Sequence, residues 1–367
     1  MNEISFGAID SINDKRTITG EMLDKSSTLP PNEYKIDLNY FHTNTLSNQR
    51  QLGICTACAV RIACESSYAI ARAVELGYRQ SFKIDDAWLY LMGKVLVDGN
   101  LWEGSSAFTM LKASNKYGCP NVLDTRYFPL KLDATYAQFI ADFNSTYGGR
   151  IPREILESAK KYKIGGYYKI NVNSIEIAKA VSNDKLVISR FVVGDNTYKD
   201  INGNVTWDNK KLSPLRRPKI VDGGHLWCIK AYKGLDENQI GTLVNSWSEN
   251  WADEGCIDFN LKEQSGLFTE AWVIDDIPLS VIEEARKNDF RIDLKLGMNH
   301  PDVKKLQIWL NKNGYTISAS GAGSAGNETS FYGNLTRQAV IKLQKMNKIV
   351  PAVGYFGKVT RGYINSI

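Results

Sequence analysis

Residues that usually carry chemistry are scarce in this sequence. Histidine occurs three times in 367 residues, at positions 42, 225 and 300, and cysteine six times. Six cysteines in a chain of this length do not make a disulfide scaffold, and they point to synthesis in a reducing cytosol. No stretch approaches the roughly 18 apolar residues that a membrane span requires. The opening MNEISFGAIDSINDKR lacks both a basic start and an apolar core, so no secretory signal is read there. What is present is ordinary for a globular protein: 43% hydrophobic and 23% charged residues, which excludes a disordered or fibrous chain. The length suits two domains with cores of their own.

Charge is unevenly spread. Residues 290–367 hold 11 Lys and Arg against 3 Asp and Glu, a local charge of +8, whereas the whole chain carries +5 and the remainder therefore −3. A basic tail on a mildly acidic body implies two regions with different partners, although a solvated charged face produces the same arithmetic.

The pattern of apolar residues changes at the same place. Residues 36 to about 277 mix helix-like stretches with strand-like ones such as KLVISRFVV, Lys185–Val193. DDIPLSVIEEARKNDF then reads as a closing segment and linker. Beyond it lies an internal repeat: FYGNLTRQAV from Phe331 recurs as YFGKVTRGYI from Tyr355, 24 residues later. Gly333 and Gly357 suit tight turns, and Thr336 and Thr360 stand where a hydroxyl caps the start of a short helix. A third helix precedes the repeat in HPDVKKLQIWLNKNG, with His300 capping, Pro301 at the first helical position and Gly314 as the stop. Residues 302–307 (DVKKLQ), Leu310-Asn311, Gly314-Tyr315, Tyr332-Gly333, Thr336, Ala339-Val340, Leu343-Gln344, Gly354 to Gly357 and Thr360 together resemble the three-helix peptidoglycan-binding domain. The resemblance covers nearly all of 292–367 and departs from it in the insert SASGAGSAGNETS. It implies a bacterial wall polymer as partner.

The body contains NQRQLGICTACAVRIACE, residues 48–65. From Ile54 to Leu76 there is neither Gly nor Pro, and Gly77 ends the run, so a helix of about six turns is expected, apolar on more than one face and therefore buried. Cys55 falls at its N-terminal edge, where unpaired N–H groups and the helix dipole lower a thiol pKa. Cys58 and Cys64 lie inside it and read as small buried hydrophobes. The pair Cys55-x-x-Cys58 has no second Cys or His pair at zinc spacing and no apolar strand feeding it, so metal and redox readings are weak. Elsewhere His42 lies in a loop before the helix. His225 follows Gly223-Gly224 at the start of an aromatic-rich strand, and Asn245-Ser246-Trp247 ends another.

Taken in order, these residues resemble the bacterial and viral branch of the papain family of cysteine peptidases. Gln49 stands six residues before Cys55, which selects Cys55 rather than Cys58 as the nucleophile; Gly223-Gly224-His225 and Asn245-Ser246-Trp247 complete the set. Trp102-Glu103-Gly104-Ser105-Ser106 resembles the segment that lines the substrate cleft, and a helix and turn are expected in SAFTMLKASNKYGCP after it. The sequence departs from the family pattern at Thr56, where tryptophan is usual, at Arg50 and Ile54, where smaller residues are usual, and at Leu52, where a disulfide cysteine is usual. No long N-terminal inhibitory propeptide is read.

The resemblance implies an α+β fold: a papain-like two-lobed body, one lobe helical and one β-barrel-like, followed by a small all-α three-helix domain. The expected domains are 1–280, a linker 281–291, and 292–367. The expected catalytic residues are Cys55, His225, Asn245 and Gln49; the expected substrate-binding residues are Gly104, Ser105, Gly224 and Trp247. Cys55 is expected as a thiolate beside a His225 imidazolium of raised pKa. No metal or cofactor is called for. The expected partners are a peptide or protein substrate and peptidoglycan, with no nucleic acid and no membrane span. Two alternatives stand beside wall-targeted endopeptidase activity: a non-catalytic wall-binding or virion structural protein, and a hydrolase of peptidoglycan stem peptides. The expected place of action is the bacterial wall or the extracellular space, reached from a phage or by lysis.

Overall fold

The computed structural model describes residues 8, 29–36, 48–76, 83–197, 215, 217–278, 290 and 292–365. Within it the chain divides into two compact units, 1–282 and 283–367, each with its own apolar core. The expected linker lies outside the described residues apart from Phe290, as do His42 and the helix stop at Gly77.

In the first unit the helices come early. α1 (Cys55–Leu76) is followed by α2 (Asp86–Gly93), which runs on into a π-helical turn, Lys94–Asp98. Then come α3 (Ala107–Lys116), the short α4 (Val122–Thr125), α5 (Tyr136–Tyr147) and α6 (Arg153–Ala159). Side-chain caps mark several starts: Asp85 accepts from Trp88 N, Ser106 from Thr109 N, and Thr135 with Gln138 forms a capping box. α1 is buried from Cys55 through Ser66, as its all-round apolar pattern requires. It also buries Arg61 and Glu65, joined by bonds of 3.0 and 3.2 Å one turn apart, which lets a charged pair lie inside a core.

The strands come late. β2 (Tyr167–Ile170), β3 (Val187–Gly194), β4 (Val221–Lys233), β5 (Ile240–Val244), β6 (Cys256–Asn260) and β7 (Phe268–Ile274) form one antiparallel sheet in the order β2-β7-β3-β4-β5-β6. β1 (Glu33–Lys35) adds to β4, and α7 (Ser174–Ser182) lies between β2 and β3 in sequence. The two layers meet where α1 packs on β4: Cys228 Sγ donates to Ala59 O at 3.2 Å.

The second unit holds α8 (Pro301–Lys312), α9 (Asn334–Met346) and α10 (Lys358–Asn365). His300 Nδ1 accepts from Asp302 N, Pro301 opens α8, and Gly314 follows its end with φ +82°. The expected role of Thr336 and Thr360 is corrected. Both are buried third residues of their helices, and their hydroxyls accept from glutamines on the preceding helices: Gln307 Nε2 to Thr336 and Gln344 Nε2 to Thr360, each 2.9 Å. The repeat is thus built on two matching hubs. Gln307 also bonds Phe331 O and Thr329 N, and Gln344 bonds Tyr355 O and Gly354 N. The repeat glycine Gly357 is needed for space, since a Cβ there would lie 2.4 Å from the Tyr355 ring.

Candidate active site

Cys55 is the first residue of α1 and is fully buried. Ile54 O takes the bonds of Ala57 N (3.0 Å) and Cys58 N (3.2 Å), so the thiol stands among the first-turn amides at the positive end of the helix dipole. Before it, a tight loop holds Gln49. Asn48 Oδ1 accepts from Arg50 N, Arg50 turns through φ +56°, and Gln49 O accepts from Leu52 N.

That loop is stitched to a segment almost two hundred residues away. Gln49 N donates to Ser246 O at 2.9 Å, Asn48 bridges Trp247, and Ser246 Oγ donates to Gln49 Oε1 at 2.6 Å. The Leu52 carbonyl, which only accepts, assigns the amide flip: the Gln49 nitrogen points to Leu52 O at 3.1 Å and its oxygen takes the Ser246 hydroxyl.

His225 is the fifth residue of β4, so Gly223 and Gly224 lie within the strand rather than before it. β4 and β5 pair with Cys228 opposite Val244, which brings the imidazole to Asn245 just beyond the end of β5. His225 Nε2 lies 2.7 Å from Asn245 Oδ1, and the same oxygen accepts from Ser246 N at 2.7 Å. An amide oxygen accepts only, so Nε2 carries the proton and Nδ1 is the nitrogen left for exchange. Rings close around the imidazole: Trp247 at 4.8 Å and 37°, and Trp227 edge-on at 5.3 Å. Trp251 packs edge-on against both tryptophans. The sequence reading found Trp247 and missed Trp227 and Trp251. Trp227 was readable as the i+2 neighbour of His225 on one strand face; Trp251 had no such signal.

Burial among these rings pushes the His225 imidazole down to about 4, and the Asn245 bond opposes the shift without cancelling it. The expectation of a raised imidazole pKa is therefore reversed in this arrangement. Desolvation penalises the imidazolium more than one neutral acceptor supports it.

Gly104 and Ser105 are held by a group that the sequence reading did not name. On the π-helical turn, Lys94 Nζ bonds Gly104 O (2.8 Å) and Asp98 Oδ2 (3.0 Å). Asp98 in turn accepts from Ser105 Oγ (3.0 Å) and Thr109 Oγ1 (2.7 Å). Gly224 needs its missing side chain: a Cβ there would lie 2.4 Å from Arg190 Nη2 and 2.7 Å from Ala8 O. Ala8, from the N-terminal stretch, joins the two segments. It bridges Ser105 in parallel, donates to Gly224 O at 3.2 Å, and accepts from Arg190 Nε at 3.2 Å. Among the described residues no cluster of three or more His, Cys, Asp or Glu is arranged to hold a metal, and no helix is long and apolar enough to cross a membrane.

Solved structures of similar fold cover three quarters of the chain. Xylellain, a cysteine protease from Xylella fastidiosa, superposes with a TM-score of 0.55 at 17% identity over 75% of this chain and 97% of its own. ProCathepsin B S9 from Trypanosoma congolense gives 0.52 at 13% identity over 75% and 86%. Procathepsin L2 proteinase from the larval midgut of Tenebrio molitor gives 0.52 at 16% identity over 74% and 78%. No curated protein sequence matches the chain. Residues 299–362 match the family described as "Putative peptidoglycan binding domain". The chain thus joins a body with the papain-like cysteine protease fold to a C-terminal peptidoglycan-binding domain.

Proposed function

We propose that the first unit is a cysteine endopeptidase and that residues 292–367 direct it to the bacterial cell wall. The observation that carries this reading is one bonded network, Gln49–Ser246–Asn245–His225, at the helix start that bears Cys55. In the reaction His225 Nδ1 takes the Cys55 proton as Sγ bonds to the peptide carbonyl carbon. The oxyanion develops toward the Gln49 amide nitrogen and the first-turn amides of α1. His225 then passes its proton to the departing amine as the C–N bond breaks, and water hydrolyses the thioester with the imidazole as base. Asn245 keeps the proton on Nε2, and Trp247 and Trp227 shield that bond from water. An extended substrate pairs with the backbone of Ser105 and Gly224 in place of Ala8, beside Gly104.

Labelling with a thiol-directed epoxide tests the centre. Cys55 is expected to react, and His225→Ala to suppress the reaction. Labelling spread over other cysteines rejects the assignment. The wall domain is tested by sedimentation with purified peptidoglycan: full-length protein is expected in the pellet and a chain ending at Ile282 in the supernatant, with cleavage of a soluble peptide retained. Equal sedimentation of the two rejects targeting by this domain. Cleaved bonds identified in a peptide library and in purified wall distinguish protein substrates from stem peptides.

A second reading, a wall-binding protein that keeps the fold without turnover, is favoured by Ala8, which occupies the backbone groups of Ser105 and Gly224. Epoxide labelling without hydrolysis of any peptide in the library supports that reading.

A further inference from the structure

Beside the centre lies a cavity of about 440 Å³, a volume in the range of small-ligand sites. It shares no residue with the Gly104–Ser105 and Gly224 segments. Its rim comes from the two segments that build the centre: Asn48 and Arg50 flank Gln49, and Ser248 and Asn250 follow Trp247. Arg50 and Ser248 both have left-handed backbones, φ +56° and +72°. Two strained non-glycine residues lining one cavity, each beside a residue of the centre, mark a shape that the rest of the fold maintains.

The lining carries charge of both signs: Arg50, Arg61 and Lys83 against Asp85, Asp86 and Glu249. Arg61 is committed to Glu65, with Asp86 the more distant partner at 3.7 Å. Arg50 is paired at 2.8 Å with Asp133, whose side chain is 87% exposed. An ion pair that open to water is worth about 0–1 kcal/mol, so an incoming carboxylate replaces Asp133 on Arg50 at little cost. Also in the lining, the exposed Glu249 offers a carboxylate to a cation. Walls of this kind reject an apolar side chain and match a ligand with both an anionic and a cationic group.

We propose that this cavity is a subsite for a peptide terminus bearing a free α-carboxylate and a side-chain ammonium, as in a C-terminal lysine or another diamino acid, with the carboxylate at Arg50 and the ammonium at Glu249. A free α-carboxylate ends a chain, so the residue bound here belongs to the amine product, and the subsite adds favoured cleavage near such a terminus to the cleavage of internal bonds. The inference names the substrate class of the proposed peptidase and rests on that reading.

Its test does not require turnover. Full-length Cys55→Ala protein is titrated by calorimetry with alanyl-lysine, alanyl-lysine amide and alanyl-norleucine. Alanyl-lysine is expected to bind at least about tenfold more tightly than either analogue, each of which lacks one charge. Arg50→Gln and Glu249→Gln, both at exposed positions where folding is not at stake, are each expected to weaken alanyl-lysine about tenfold. Equal binding of the three dipeptides, no binding of any, or indifference to both substitutions overturns the subsite. Peptide hydrolysis by the wild-type chain is measured separately, so loss of the subsite and loss of the peptidase reading are distinguishable.

Discussion

Both units bury glutamine side chains, and they use them differently. In the second unit Gln307 and Gln344 each spend the amide nitrogen on a threonine hydroxyl and a turn carbonyl, and the oxygen on a backbone N–H. Every partner lies within 29 residues, and the product is a pair of turns locked against helices. In the first unit Gln49 ties its own loop to Ser246, 197 residues on, and that loop leads into the helix bearing Cys55. A buried amide whose bonds close a local turn is scaffold. One whose bonds tie a helix start to an asparagine and an imidazole drawn from distant segments is what the proposed reaction draws on.

The sharpest break of this comparison is at the proposed nucleophile. Cys55→Ala is expected to lower turnover of a soluble peptide by about 10⁴-fold or more, while Cys58→Ala retains most activity, because Cys58 lies inside α1 beside Asp86 Oδ2 at 3.6 Å. The reverse ranking rejects Cys55. At the amide itself, Gln49→Ala is expected to reduce kcat about 10²–10³-fold with little change in KM, since its donor acts on the transition state. A loss confined to KM assigns Gln49 to substrate binding.

The imidazole separates the units by pH. With a folded pKa of about 4 against 6.5 for the ordinary group, the unfolded chain binds more protons between these values. First-unit stability is therefore highest above about pH 6.5 and falls as the pH drops toward 4. The full difference is roughly 3 kcal/mol at 1.36 kcal/mol per pKa unit. Denaturant unfolding from pH 7 to 4 is expected to show this slope in the wild type and a smaller one in His225→Gln; identical slopes reject it. For kcat/KM, the acid limb is expected near pH 4, where Nδ1 holds a proton and cannot accept that of the thiol.

The smallest effect belongs to the scaffold. Gln344→Ala removes the bonds to Thr360, Tyr355 and Gly354, and is expected to destabilise the second unit by about 1–3 kcal/mol while leaving peptide cleavage unchanged. Loss of cleavage in this variant breaks the division of roles between the two units.

Much of this was legible in the residues. The absence of Gly and Pro after Ile54 specified α1 to within one residue of its start, because helix propensity and a continuous apolar surface are local properties. Pro301, the glycines of the repeat and the strand-like run KLVISRFVV of β3 declared themselves for the same reason. The spacing of Gln49 to Cys55, the Gly223-Gly224-His225 run and the Asn245-Ser246-Trp247 run carried the family resemblance that named the candidate site residues, because short motifs are local. Only the tertiary structure decided what those residues meet. Sheet register brought His225 to Asn245, and the rings of Trp227, Trp247 and Trp251 reversed the expected direction of the imidazole shift. The π-helical turn set Lys94 and Asp98 under Gly104 and Ser105, and Ala8 came to lie between Ser105 and Gly224. These outcomes depend on pairs separated by tens to hundreds of residues. Desolvation and hydrogen-bond geometry act through space, and no local pattern in the chain records them.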